Sequence, residues 1–137
     1  MGLVLDSGVL IASEREARPV SGLLATLEYE HGETEVVLSS ITVIELGHGL
    51  HRAQTTEQAR KRREYLDSVF AAIPVEPFTR EMAQLAAKID AQARQLSRTI
   101  PFADLLIGAT ALHFGYSIGT RNTRHFRMLP NLNVIQL

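Results

Sequence analysis

Leu3-Val4-Leu5-Asp6-Ser7 decides how this chain is read. Three consecutive apolar residues make a short β-type run, and an acid stands at its C-terminal end. The pattern recurs: Val36-Val37-Leu38 ends at Ser39-Ser40, and Tyr116-Ser117-Ile118 ends at Gly119-Thr120. Val134-Ile135 is a shorter run. Ile73-Pro74-Val75 is weakened by Pro74 and Pro77, because proline cannot donate to a ladder, and fits an edge strand. Strands that are continuously apolar rather than alternating suit parallel pairing with both sheet faces covered.

Helical patterns fill the intervals. Residues 55–72 and 79–97 carry apolar residues at helical spacing with charges between them. Met82, Leu85, Ala86, Ile89 and Ala93 form the stripe of the second, and Thr79 followed by Glu81 marks its start. A helix starts near Val9, with Asp6 or Ser7 as its cap. Pro101 suits the first turn of another, where its missing N–H costs nothing. No repeat, low-complexity tract or linker interrupts the pattern. Residues 1–137 therefore read as one α/β domain with a mostly parallel sheet of four to five short strands flanked by helices.

Composition narrows the chemistry. The 137 residues are 45% hydrophobic and 21% charged, which suits a globular domain able to bury a core without staples. The absence of cysteine removes disulfides, thiolate metal sites and cysteine nucleophiles together. No basic segment followed by an apolar one opens the chain, and no run is long enough to span a bilayer, so a cytoplasmic protein without membrane contact is expected. The net charge of −1 argues against a globally electrostatic nucleic-acid binder. Local basic clusters remain: Arg60-Lys61-Arg62-Arg63, which reads best as a solvated face, and Arg121, Arg124 and Arg127.

Three acids stand out. Asp6 lies where ligands sit in open α/β sheets, beyond a strand's C-terminal end, although capping explains it equally well. Glu45 follows the second strand in Ser40-Ile41-Thr42-Val43-Ile44-Glu45-Leu46, where Thr42-x-x-Glu45 is also a capping box. Asp104 is the sharpest. Its helical neighbours Ile100, Ile107 and Gly108 offer no polar partner, and burying a lone carboxylate costs several kcal/mol, roughly, unless it meets a proton, cation or donor. The alternative is a first-turn acid at a helix N-terminus. Gly108, one turn on, is expected to leave space beside it. Thr120 and Asn122 fall at another strand end, where Asn122 or Thr123 also serves as a turn cap. In a parallel sheet these positions converge on one edge. Clustered carboxylates need a cation, and hard oxygen ligands select Mg²⁺ or Mn²⁺, which polarises a phosphate and activates water for in-line attack on a phosphodiester.

In order and spacing, four segments resemble a known family. They are Leu3-Val4-Leu5-Asp6-Ser7, Ser39-Ser40-Ile41-Thr42-Val43-Ile44-Glu45-Leu46, Pro101-Phe102-Ala103-Asp104-Leu105-Leu106-Ile107, and Thr120-Arg121-Asn122-Thr123-Arg124-His125-Phe126. Together they resemble the PIN-domain nucleases, and more narrowly the VapC toxins of type II toxin–antitoxin pairs, over essentially the whole chain. The resemblance implies a three-layer α/β sandwich with strand order 3-2-1-4-5. It implies Mg²⁺- or Mn²⁺-dependent cleavage of RNA such as tRNA, rRNA or mRNA, inhibiting translation. It implies a homodimer and a VapB-like antitoxin, joined in a heterotetramer or larger complex. Asp6, Glu45 and Asp104 carry over as metal ligands and catalytic acids. Asn122 and His125 occupy the positions where a fourth acid is common, and Gly8 stands where Asn or Ser is common. Thr120 and Asn122 are then expected to bond a metal-bound water or phosphate oxygen, and Arg121, Arg124 and Arg127 to contact the RNA backbone, with a solvated helix face as the alternative for those arginines.

Other readings compete. A domain without the fourth acid could be catalytically degenerate, binding RNA or an antitoxin only. Glu28-x-x-His31 and Glu45-x-x-His48 match the unit of di-iron helical bundles, but a β-type run separates them. A phosphotransferase with Asp6 as nucleophile lacks its usual neighbouring acids, and no Walker or dinucleotide loop is present. His48, His51 and His113 read as surface or structural residues.

Overall fold

A computed structural model describes all residues 1–137. Five parallel strands form one sheet in the order β3-β2-β1-β4-β5, the topology the family resemblance implied. They are β1 (Gly2–Leu5), β2 (Glu35–Ser39), β3 (Val75–Glu76), β4 (Ser117–Thr120) and β5 (Val134–Gln136). Between them run α1 (Ser7–Arg15), α2 (Val20–His31), α3 (Ser40–His51), α4 (Thr56–Ala72), α5 (Arg80–Gln95), α6 (Phe102–Phe114) and the single turn α7 (Thr123–Phe126). Val4 sits centrally, in register with Val37 on one side and Ile118 on the other.

Alternation along β1 divides the core. Leu3 and Leu5 pack on one face with Val9, Leu10, Leu23, Leu66 and Val69 of α1, α2 and α4. Val4 joins Val37 and Ile118 on the other face, under Ile107 and Ala111 of α6 and Phe126 of α7. A separate cluster of Ala86, Ile89, Ala93, Leu105 and Ala109 fixes α5 to α6. Helices thus cover both faces, which is why the strands carry no polar alternation. No helix is long and apolar enough to cross a membrane.

Local chemistry accounts for the boundaries. Thr79 caps α5 by accepting the Met82 N–H, and the stripe from Met82 to Ala93 is buried. Pro101 is the N-cap of α6 rather than a first-turn residue; its extended ψ of 138° turns the chain into the helix. Ile73 ends α4 instead of starting a strand, so β3 shrinks to the residues beyond Pro74, at the sheet edge. Gly108 does not open space beside Asp104. A Cβ there would lie 2.5 Å from Leu129 Cδ2, so this glycine admits close packing in the core.

Candidate active site

Because all strands run parallel, their C-terminal ends share one edge, and the helices following β1 and β2 begin there. Asp6 closes β1. Its N–H bonds Gly119 O of β4 at 2.9 Å, extending the ladder by one residue. Its Oδ1 accepts the Ser7 N–H at 2.9 Å, so Asp6 caps α1. Its Oδ2 accepts the Thr120 hydroxyl at 2.9 Å. Capping and site placement coexist, since each uses a different oxygen. Thr120 is fully buried and its Oγ1 also accepts the Asn122 N–H at 3.0 Å. With its proton committed to Asp6, the Thr120 hydroxyl positions that carboxylate.

Glu45 is not a capping-box residue. Ser39 caps α3 by accepting the Ile41 N–H at 3.1 Å, so the helix starts earlier than Thr42 and Glu45 falls in its second turn. Thr42 Oγ1 and Glu45 Oε1 are both buried without a hydrogen-bond partner. An orphaned buried carboxylate oxygen is costly, and it needs a ligand or a proton to explain it.

Asp104 lies in the first turn of α6, with a side chain 19% exposed, and its Oδ2 is 2.8 Å from His125 Nδ1 of α7. The carboxylate without a helical partner therefore finds one from another element. Sequence reasoning placed His125 at a family position where an acid is common, but not against Asp104, because only the packing of α7 on α6 joins residues 21 apart.

The acids sense one another. Burial pushes the Asp6 carboxyl above the usual range and the charge of Asp104 adds to this, while the Thr120 and Ser7 hydrogen bonds pull it down. Burial likewise raises Glu45, with Asp6 and Asp104 adding repulsion. The Ser7 hydroxyl and His48 temper the rise without giving Oε1 a hydrogen bond. No three acidic or imidazole groups in the chain close to ligand distance around one point. The donor set nevertheless fits a small hard cation. Three carboxylates lie near enough to repel one another, and one of them has an unused buried oxygen.

Around them, Asn122 takes the N-cap position of α7 but makes no side-chain cap bond, leaving its amide uncommitted. Arg121 lies 3.8 Å from Glu16, both exposed, a pair worth little. Arg124 and Arg127 are exposed and have no acidic partner within 4.0 Å. Glu28 and His31 belong to α2 while Glu45 and His48 belong to α3, and no di-iron cage forms between them.

Known proteins share this architecture. The family model described as PIN domain matches residues 3–130. Ribonuclease VapC of Rickettsia bellii is 30% identical over 135 residues, covering 98% of this chain and 96% of that one. VapBC2 from Rickettsia felis, solved bound to a DNA fragment from its promoter, superposes with a TM-score of 0.86 at 20% identity, covering 100% and 99% of the two chains. VapBC-5 from Mycobacterium tuberculosis, a member of the VapBC family of toxin–antitoxin systems, gives 0.75 at 22% identity over 99% and 98%. Strand order and sequence match agree from end to end: the chain belongs to the PIN-domain family, among the VapC ribonucleases.

Proposed function

We propose that this protein is a Mg²⁺- or Mn²⁺-dependent endoribonuclease, the toxin of a toxin–antitoxin pair, which hydrolyses phosphodiester bonds in RNA and so inhibits translation. One observation carries the metal-dependent reading: Glu45 Oε1 is buried and unbonded, near enough to Asp6 and Asp104 to be repelled by both. Asp6, Glu45 and Asp104 are the residues that hold the cation. When bound, the cation neutralises charge on the scissile phosphate and lowers the pKa of water at the site.

The protein's own groups set up the reaction. Thr120 and the Ser7 N–H fix both oxygens of Asp6, so this carboxylate is aligned before ligand arrives. His125 holds one oxygen of Asp104 and leaves the other for the site. Asn122 offers a neutral amide, able to donate to a phosphate oxygen where an acid would repel it. Arg121, Arg124 and Arg127 contact the RNA backbone beside the crevice. A VapB-like antitoxin accompanies this reading, supported by the VapBC description of the structural relatives, and a homodimeric assembly is proposed with it.

A binding-only domain draws on a different observation: His125 already occupies one oxygen of Asp104, a place a metal could take. Cleavage separates the two. Purified protein freed of partner should cut RNA with Mg²⁺ or Mn²⁺, and Asp104→Asn should abolish cutting while the fold survives. No cutting across a broad RNA panel, or equal cutting by Asp104→Asn, rejects the enzyme.

A further inference from the structure

The chain carries a net charge of −1, yet one of its clefts is basic. It lies between the C-terminal ends of α1 and α3 and the first half of α4, and measures about 630 Å³. Arg15, Arg52, Lys61 and Arg62 line it, opposed by Glu14. A second, inner cleft of about 280 Å³, lined in part by Glu45, adjoins it. Glu14, Arg15, Gly49, Arg52 and Arg62 border both chambers. The two clefts share these walls, so the inner one, which Glu45 lines, adjoins an outer one lined by cations from three helices.

Its cations are built in to different degrees. Arg62 crosses the cleft to Glu14 at 2.8 Å, and a Cβ on Gly49 would collide with the Arg62 guanidinium, so glycine there makes room for it. Tyr65 donates to Leu10 O at 2.8 Å and locks α4 against α1, which fixes the walls. Lys61 lies 4.0 Å from Glu57, a distance that neutralises little. Arg15 and Arg52 are exposed and have no carboxylate within 4.0 Å; Arg52 Nε donates to His48 O at 3.1 Å, which leaves its two terminal nitrogens to face the cleft. Their position at helix C-termini accounts for one cation at each end. It does not account for Lys61 and Arg62 turning into the same space. Arg60, by contrast, is clamped by Glu57 and Glu64 on an exposed face, so the basic run splits between a solvated side and the cleft.

We infer that this cleft carries the phosphodiester backbone of single-stranded RNA toward Glu45, with Arg15 and Arg52, neither of them paired with a carboxylate, as its phosphate contacts. The identity of the ligand rests on the ribonuclease reading above. Apart from Ala53 and Tyr65, the outer walls hold no apolar side chain, which suits a polyanion and does not suit an amphipathic helix of a partner protein. Arginine forks match phosphate oxygens bidentately, and cations lacking acidic partners release counterions when RNA binds.

The test is binding without turnover. A labelled single-stranded RNA dodecamer is titrated with protein by fluorescence anisotropy in EDTA, across a range of KCl. For Arg15→Gln/Arg52→Gln the Kd at low salt should rise about tenfold or more, and the slope of log K against log[KCl] should become shallower by about 1.4, two contacts at roughly 0.7 each. The single Arg15→Gln variant should give about half that change in slope. Both residues are exposed, and thermal melts check that the fold is kept. Wild-type affinity and slope in the double variant overturn the inference, as does wild-type protein that binds no RNA. Unchanged RNA binding with lost binding of the cognate antitoxin assigns the cleft to the partner and overturns it too. A protein that never cleaves, yet binds RNA with the predicted loss of slope, sinks the nuclease reading and leaves the cleft standing.

Discussion

Glu45→Gln should make the metal-free protein more stable while destroying its activity. The substitution keeps the volume and removes a charge whose Oε1 is buried with no partner. Glutamine still places a polar atom there, so the gain comes from losing a charge that burial and two neighbouring acids disfavour, and the partial exposure of Glu45 keeps it to about 1 kcal/mol. For 137 residues that is a rise in Tm of about 3–4 °C. The sign depends on pH. Burial and the neighbouring acids raise the folded pKa of Glu45, so its stability contribution is intact below the unfolded value and lost as pH rises through the folded one. The variant should therefore out-melt wild type at pH 7 in EDTA, and the difference should vanish near pH 4. Mg²⁺ at about a hundred times its Kd stabilises wild type by about 2.7 kcal/mol. The variant should keep less than half of that shift and lose cleavage by roughly a hundredfold or more. Calorimetry at two pH values, with and without Mg²⁺, provides all four numbers. A variant that melts below wild type at pH 7 without metal, or that keeps the full metal shift, refutes the assignment of Glu45 as an unsatisfied ligand.

Three further outcomes follow from the geometry. Thr120→Val strips the donor from Asp6 Oδ2 and the acceptor from Asn122 N–H, so it should cost about 2–3 kcal/mol and lower activity, while Thr120→Ser retains most of both; equal urea midpoints for Val and wild type would show the contact to be idle. His125→Ala should reduce cleavage at saturating Mg²⁺ by about tenfold or more by releasing Asp104, and His125→Asn should recover part of it by replacing the Nδ1 donor; no rescue denies His125 a positioning role. Gly108→Ala should lose about 1–3 kcal/mol in guanidinium unfolding, because its Cβ would meet Leu129, a residue 2% exposed; a neutral result means Leu129 can retreat.

Sequence and structure part company where packing takes over from pattern. The helices at 55–72 and 79–97 were legible because Thr55 and Thr79 cap them and their stripes repeat at helical spacing. β1 and β2 were legible as apolar runs because both faces are covered. α2 had no comparable signal: Pro19 caps it without a side-chain bond, and its outer end is the acidic stretch at Glu28 and Glu30. The capping box at Thr42 and Glu45 misread the start of α3, because Ser39 competes for the cap and sits earlier. Asp104 stood out as a carboxylate without a helical partner, but the identity of its partner depends on the docking of α7, which no local pattern encodes. The basic cleft was illegible for the same reason, since Arg15, Arg52 and Lys61 come from near three different helix ends.

The bond from Thr120 to Asp6 spans 114 residues. β1 is made first yet occupies the middle of the sheet, and it waits for β4 before its closing acid is held. At ribosomal speeds of about 5–20 residues per second, that wait lasts roughly 6–23 s. A nascent chain therefore carries Asp6 without its Thr120 bond until nearly the last strand emerges. Alignment of the acids, and with it any chemistry they perform together, is a late event in synthesis.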